Sequence, residues 1–183
     1  MLLLALLPAP VQSVSAEEVR PPQPAAPAAE ARRFGNWELV CERAAGPASP
    51  EPAPRKPQAA PPACKVVQRQ VARETGQSVF LVTVLPAGRP GQLAVIVSTP
   101  LGGYLAPGLV LSVDRGRPFK VLVETCTAAG CHAGFALAGR IAQELRRGRE
   151  LKVRLWTGKG SPADVAVPLA GLDPALAALR DAR

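Results

Sequence analysis

The sequence predicts a mainly β domain, an antiparallel β-sandwich or barrel-like domain with one short helix between strands and a short C-terminal helix. Three observations point there. Val, Leu, Ile and Phe gather in short runs separated by Gly, Pro and Asp turns, the pattern of antiparallel strands. The 183 residues include 21 Pro and 16 Gly, too many breakers for a long helical bundle or coiled coil. Four cysteines, an even number, suit a fold stapled by disulfides. The length fits one domain with appendages.

The chain opens on an apolar run from Leu2 to Leu7 that stops at Pro8 and Pro10. The run is far short of the ~20 residues that span a bilayer. Val14-Ser15-Ala16 then places small residues before Glu17 and Glu18. Residues 1–16 therefore read as a secretory signal peptide, although no Lys or Arg precedes the apolar run. No second long apolar stretch follows, so the mature chain is not expected to be an integral membrane protein. Residues 17–33, with Arg20-Pro21-Pro22-Gln23-Pro24, lack the apolar content to order themselves and read as a disordered Pro/Ala-rich spacer. The folded domain is expected over residues 34–183.

Phe34-Gly35-Asn36-Trp37 supplies a turn and leads into a strand ending at Cys41. The stretch 43–63 holds Pro47, Pro50, Pro52, Pro54, Pro57, Pro61 and Pro62, which excludes a central strand or helix and marks an exposed loop. From Lys65 to Arg73 the pattern alternates, with Val67 and Val71 on one face and Gln68 and Gln70 across. Ser78–Leu85 follows the Thr75-Gly76 turn as a second strand. Leu93–Val97 is wholly apolar and reads as a central strand buried on both sides. Leu109–Val113 ends at the Asp114-Arg115-Gly116 turn, and Phe119–Glu124 forms the next strand. In Gly134–Gly148 a helix is expected, because Leu137, Ile141 and Leu145 recur every four residues, with Gly148 as the stop. Glu150–Trp156 alternates clearly: Leu151, Val153 and Leu155 point one way, Lys152, Arg154 and Trp156 the other. Val165–Leu169 adds an edge strand, limited by Pro168. In the last helix Asp173 can cap, Pro174 fits the first turn, and Leu176 and Leu179 face inward.

Cys41, Cys64, Cys126 and Cys131 allow three pairings. The short turn between Cys126 and Cys131 can close between adjacent segments, which leaves Cys41 and Cys64 to bracket the Pro-rich loop. A four-thiolate zinc site is the competing reading, but it usually needs two close pairs spaced by two residues. His132, the one imidazole, sits beside Cys131 and reads as a polar loop residue. No nucleophile-elbow pattern is present. The carboxylates Glu38, Glu42, Glu74, Asp114, Glu124, Glu144, Glu150, Asp164 and Asp173 are scattered. Gly102-Gly103 and Gly158-Lys159-Gly160 lack phosphate-cradle spacing and read as hairpin turns. No catalytic, cofactor-binding or metal-ligating residue is nominated, and the chain is not expected to be an enzyme.

Charge is the more informative property. Lys and Arg exceed Asp and Glu by 22 to 14, giving a net charge of +8. That excess favours an acidic partner. Arg140, Arg146, Arg147, Arg149, Lys152 and Arg154 fall within one helix–strand unit and are the candidate binding residues. A solvated cationic face that maintains solubility is the plainer reading. Nucleic acid is disfavoured by export and by the lack of an aromatic stacking platform.

An ordered set of short motifs carries a family resemblance. It comprises Phe34-Gly35-Asn36-Trp37 with Cys41, Cys64-Lys65-Val66-Val67-Gln68, Thr99-Pro100-Leu101-Gly102 and Leu105-Ala106-Pro107-Gly108. It continues through Val113-Asp114, Thr125-Cys126, Gly130-Cys131-His132-Ala133, the Leu145–Gly148 stop and Val167-Pro168-Leu169-Ala170-Gly171-Leu172. Over residues 34–182 the chain resembles the invasion-associated locus B family of exported bacterial proteins. The resemblance implies a periplasmic or surface-associated β-rich domain, with the outer membrane or secretion as later destinations. It implies the pairings Cys41–Cys64 and Cys126–Cys131, and for some members a role in entering host cells. It supplies no catalytic residues. The expected function is therefore an exported, disulfide-stabilised, non-catalytic binding protein of the bacterial envelope. Its expected partner is an acidic envelope or host-surface component: lipid, lipopolysaccharide, glycan or protein. The alternatives are a periplasmic hydrolase with an unrecognised carboxylate site and a structural or chaperone-like factor that offers a sheet edge.

Overall fold

The computed structural model describes residues 30–42, 63–71 and 78–182. The signal segment, residues 17–29 of the spacer, residues 43–62 of the Pro-rich loop and the Thr75-Gly76 turn lie outside the described residues. In chain order the elements are β1 (Glu30–Phe34), β2 (Trp37–Glu42), β3 (Ala63–Val71), β4 (Ser78–Pro86) and β5 (Leu93–Thr99). Next come β6 (Leu109–Val113), β7 (Phe119–Val121), β8 (Val123–Thr127) and β9 (Gly130–Ala136). The chain closes with α1 (Gly139–Arg147), β10 (Glu150–Gly158), β11 (Ser161–Pro168) and α2 (Leu172–Asp181).

The strands form two antiparallel sheets that face each other as an unclosed sandwich. One has seven strands in the order β1-β2-β3-β4-β5-β9-β8, and the other has four in the order β11-β10-β6-β7. Between them lies a core of alternate residues from each strand: Trp37, Leu39, Val66, Val82, Val84, Val95 and Val97 from the large sheet, Leu111, Val113, Leu151 and Val153 from the small one. The α2 helix packs on β1, β2 and β3 and buries Leu172, Leu176 and Leu179. Trp37 joins the layers directly, since its indole N–H donates to the Pro168 carbonyl at 3.1 Å. Phe119 and Phe135 meet edge-to-face across the sheets with centroids 5.3 Å apart.

The mainly β sandwich with two helices is the expected one, and several local readings change. Residues 30–33 belong to strand β1, which pairs with β2 from Glu30↔Cys41 to Phe34↔Trp37, and so are part of the folded sheet rather than of a disordered spacer. The stretch Arg32-Arg33 is too charged to look like a strand in isolation; the tight Gly35-Asn36 turn recruits it to β2 as an edge. On β3 the face that joins the core carries Cys64 and Val66, while Val67 is buried on the opposite face and Val71 is exposed. The β5 strand is central, yet it alternates buried with half-buried residues, so only one face meets the core. Phe119–Glu124 divides at Leu122, where the chain leaves the small sheet as β7 and enters the large one as β8.

Gly130–Ala136 is a strand, so helix α1 starts only at Gly139. Gly148 does stop it: a Cβ at that position would meet the Val113 side chain and the Glu144 carbonyl. Asp173 lies in the first turn of α2 rather than at its cap. The cap is Gly171, whose φ of 94° is open to glycine at little cost. Gly158-Lys159-Gly160 does turn the β10–β11 hairpin, whereas Gly102-Gly103 lies in the crossover from β5 to β6 between the sheets.

Candidate functional site

Each cysteine pair bridges two neighbouring strands. Cys41 on β2 faces Cys64 on β3 and the two are bonded. Cys126 on β8 faces Cys131 on β9 and these are bonded also. The described residues contain no free cysteine, so thiolate chemistry and a four-thiolate zinc site are both removed. Two disulfides are at home outside the reducing cytosol. No helix among the described residues is long and apolar enough to cross a membrane.

His132 is not in a loop. It stands on β9, with Nδ1 2.9 Å from Ser98 Oγ and Nε2 3.3 Å from Thr127 Oγ1. Both ring nitrogens are thus engaged by hydroxyls. Most of the scattered carboxylates also have structural partners. Asp114 accepts the backbone N–H groups of Arg149 and Glu150 at 3.0–3.2 Å, fastening the β6–β7 turn to the start of β10. Glu42 pairs with Lys65 at 2.8 Å, and that ammonium group holds its carboxyl below the usual range.

The six candidate basic residues are divided between helix α1, the junction that follows it and strand β10. Arg140, Arg146 and Arg147 ride on α1, at the end of the sandwich where β6 finishes and β10 begins. There Arg140 pairs with Glu144 at 2.6 Å, one helical turn on, and Arg146 approaches Asp173 at 3.8 Å. Arg140 and Arg147 line a groove with Arg115, Glu144 and Asp114. Arg149 joins the helix to β10.

Lys152 and Arg154 occupy the outward face of β10, as the alternation required, and both are exposed. Arg154 makes a bidentate pair with Asp164 of β11 at 2.7 and 2.9 Å. The guanidinium, with Lys152 adding to it, holds the Asp164 carboxyl below its ordinary value. Among the described residues Arg147, Arg149 and Lys152 form no ion pair.

The fold adds a cation that sequence reading missed. Arg154 stands opposite Val110 on β6, and Val110 stands opposite Lys120 on β7. Lys120 therefore shares the outer face with Arg154, about 10 Å away at two strand spacings. Its signal was present in the sequence, because Lys120 alternates with the inward Val121, but the β6–β7 pairing was needed to use it. Lys152 and Arg154 on β10 and Lys120 on β7 thus share one sheet face, with Val110 of β6 between them. Asp164 sits at its margin and Trp156 continues it along β10.

Comparison with known proteins agrees with this architecture. The crystal structure of invasion associated protein B from Bartonella henselae superposes with a TM-score of 0.64 at 21% sequence identity, covering 82% of this chain and 94% of that one. At that identity the likeness establishes the fold. No curated protein matches the chain. Residues 37–180 match the family model described as invasion associated locus B (IalB) protein. That span takes in both cysteine pairs, all of the small sheet and nearly all of α2, and so the chain belongs to the invasion associated locus B family.

Proposed function

We propose that this chain is an exported, non-catalytic binding protein of the bacterial envelope. It holds an acidic envelope or host-surface component against the outer face of the four-stranded sheet. The observation that carries the reading is the placement of Lys152 and Arg154 on β10 and Lys120 on β7, on one face of the sheet with β6 between them. A rigid sheet holds cations at fixed separations and loses little entropy when an anion docks. The net charge of +8 draws such a partner in from a distance. Bonded cysteines, a histidine saturated by two hydroxyls and carboxylates tied to backbone or cations support recognition over turnover. Host-cell interaction is the setting that the family's name suggests for this contact.

Titration with heparin and with anionic vesicles across a salt series tests it. Binding should weaken steeply as salt rises. Reversing the sheet face with Lys152→Glu and Arg154→Glu should lower affinity by about tenfold or more, at roughly 1 kcal/mol per basic residue near an anionic surface. Reversing Arg146 and Arg147, at the far end, should cost less. Salt-independent binding, or binding indifferent to the sheet-face reversal, would remove the electrostatic reading.

A further inference from the structure

Five large apolar side chains stand exposed among the described residues, and four of them gather at one end of the sandwich: Leu101 at 56%, Tyr104 at 38%, Leu105 at 39% and Leu122 at 63%. The first three belong to the crossover between β5 and β6. Leu122 joins them through Gly108, where an added Cβ would lie 3.2 Å from the Lys120 Cε and 3.4 Å from the Leu122 Cδ2. The crossover is held in place. Tyr104 N–H donates to the Trp156 carbonyl at 2.8 Å, and Gly108 N–H to the Leu105 carbonyl at 2.9 Å. Beneath it, Leu101, Tyr104, Leu105 and half-buried Trp156 line a cavity of about 150 Å³. Four leucine and tyrosine side chains thus face water from a fixed scaffold, where the core gains nothing from them. A cluster of that kind marks a contact surface.

The cations stand in a definite relation to this tip. Along β10, Arg154 lies two residues behind Trp156, and on β7, across β6, Lys120 lies two residues behind Leu122. Two residues of strand are about 7 Å. Apolar groups of interfacial proteins sink about 5–10 Å past the headgroups, with Lys and Arg remaining at phosphate level and Trp or Tyr at the boundary.

We propose that the β5–β6 crossover, with Leu122, is a membrane-interface tip that seats in an anionic bilayer, while Lys120 and Arg154 hold the phosphates behind it. This rests on the reading of the sheet face as the site for an acidic partner, and it narrows that partner to anionic lipid. An acidic glycan would reward the cations but leave the leucines in water.

The test uses the full mature chain with vesicles of phosphatidylcholine, with and without phosphatidylglycerol, some carrying brominated acyl chains. The wild type should bind the anionic vesicles, and bromine should quench Trp emission through Trp156, since Trp37 is buried between the sheets. Leu101→Ser with Leu122→Ser alters exposed positions only. It should lower vesicle affinity by about tenfold while heparin binding and the melting temperature stay unchanged. Absent quenching in bound wild-type protein overturns the tip without reference to any variant. Vesicle binding that ignores both leucines but vanishes on reversing Lys152 and Arg154 overturns the tip and keeps the electrostatic reading. Heparin binding with no vesicle binding does the same and assigns the face to a glycan. Indifference of both ligands to charge reversal defeats the underlying reading itself.

Discussion

Removing each disulfide in turn separates loop closure from local packing. The paired changes are Cys41→Ala with Cys64→Ala, and Cys126→Ala with Cys131→Ala. The bridges join residues 23 and 5 positions apart in sequence. Both tie directly opposed residues of adjacent strands, and each has one buried partner, Cys64 and Cys131. The packing loss on going to alanine is therefore similar, and the difference comes from the unfolded chain. Chain-entropy arithmetic assigns about 3.4 kcal/mol to the longer closure and about 2.2 kcal/mol to the shorter. The prolines between Cys41 and Cys64 stiffen the unfolded loop and bring the first figure down, so the gap falls to about 0.5–1.2 kcal/mol without changing sign. Urea unfolding of the oxidised proteins, compared at equal m, reads the two losses. A loss on removing Cys126–Cys131 that equals or exceeds the other would refute the loop-closure reasoning.

Two further substitutions test packing and surface charge. Trp37→Phe removes the N–H that reaches the Pro168 carbonyl and leaves a small void between the sheets. The expected destabilisation is about 2–4 kcal/mol by thermal or urea unfolding, and a loss under about 0.5 kcal/mol would deny the indole its bridging role. Asp164→Asn frees Arg154 from its exposed partner. Affinity for anionic vesicles should rise about fivefold, with little change in stability because the pair is solvent-screened. A fall in affinity would show that Asp164 positions Arg154 rather than masking it. Acid has the same effect as the substitution, and its sign is fixed by the depressed Asp164 value. The pair's small contribution to stability is complete above the ordinary aspartate range and is lost as pH falls through the lowered folded value. Wild-type and Asp164→Asn unfolding curves should therefore converge only at a pH below that range.

Much of the small sheet was legible because its strands obey a single periodicity. Leu109–Val113 is a strand with the expected ends, and the inward set Leu151, Val153 and Leu155 is the one found. The large sheet was harder. In β3 apolar residues occupy both faces, so alternation alone could not choose between Val66 and Val67; the opposition of Cys64 to Cys41 fixes the parity. In β9, Gly130 and Gly134 flank Cys131, His132 and Ala133, a stretch with little strand signal of its own. Pairing with β5 on one side and β8 on the other makes that segment a strand. The β1 strand owes its existence to one tight turn.

The candidate site divides along similar lines. That Lys152 and Arg154 share an outward face could be read from spacing. The Arg154–Asp164 pair depends on hairpin register, the contribution of Lys120 on the β6–β7 pairing, and the crossover tip on long-range folding that brings Leu122 beside Gly108.

The most direct measurement is non-reducing peptide mapping of the protein purified from the bacterial envelope. Peptides joined through Cys41–Cys64 and Cys126–Cys131, with a mature N-terminus near Glu17, are the expected result. Four free thiols in protein recovered from that location, or a metal ion held among them, would contradict an exported sandwich locked by two bridges.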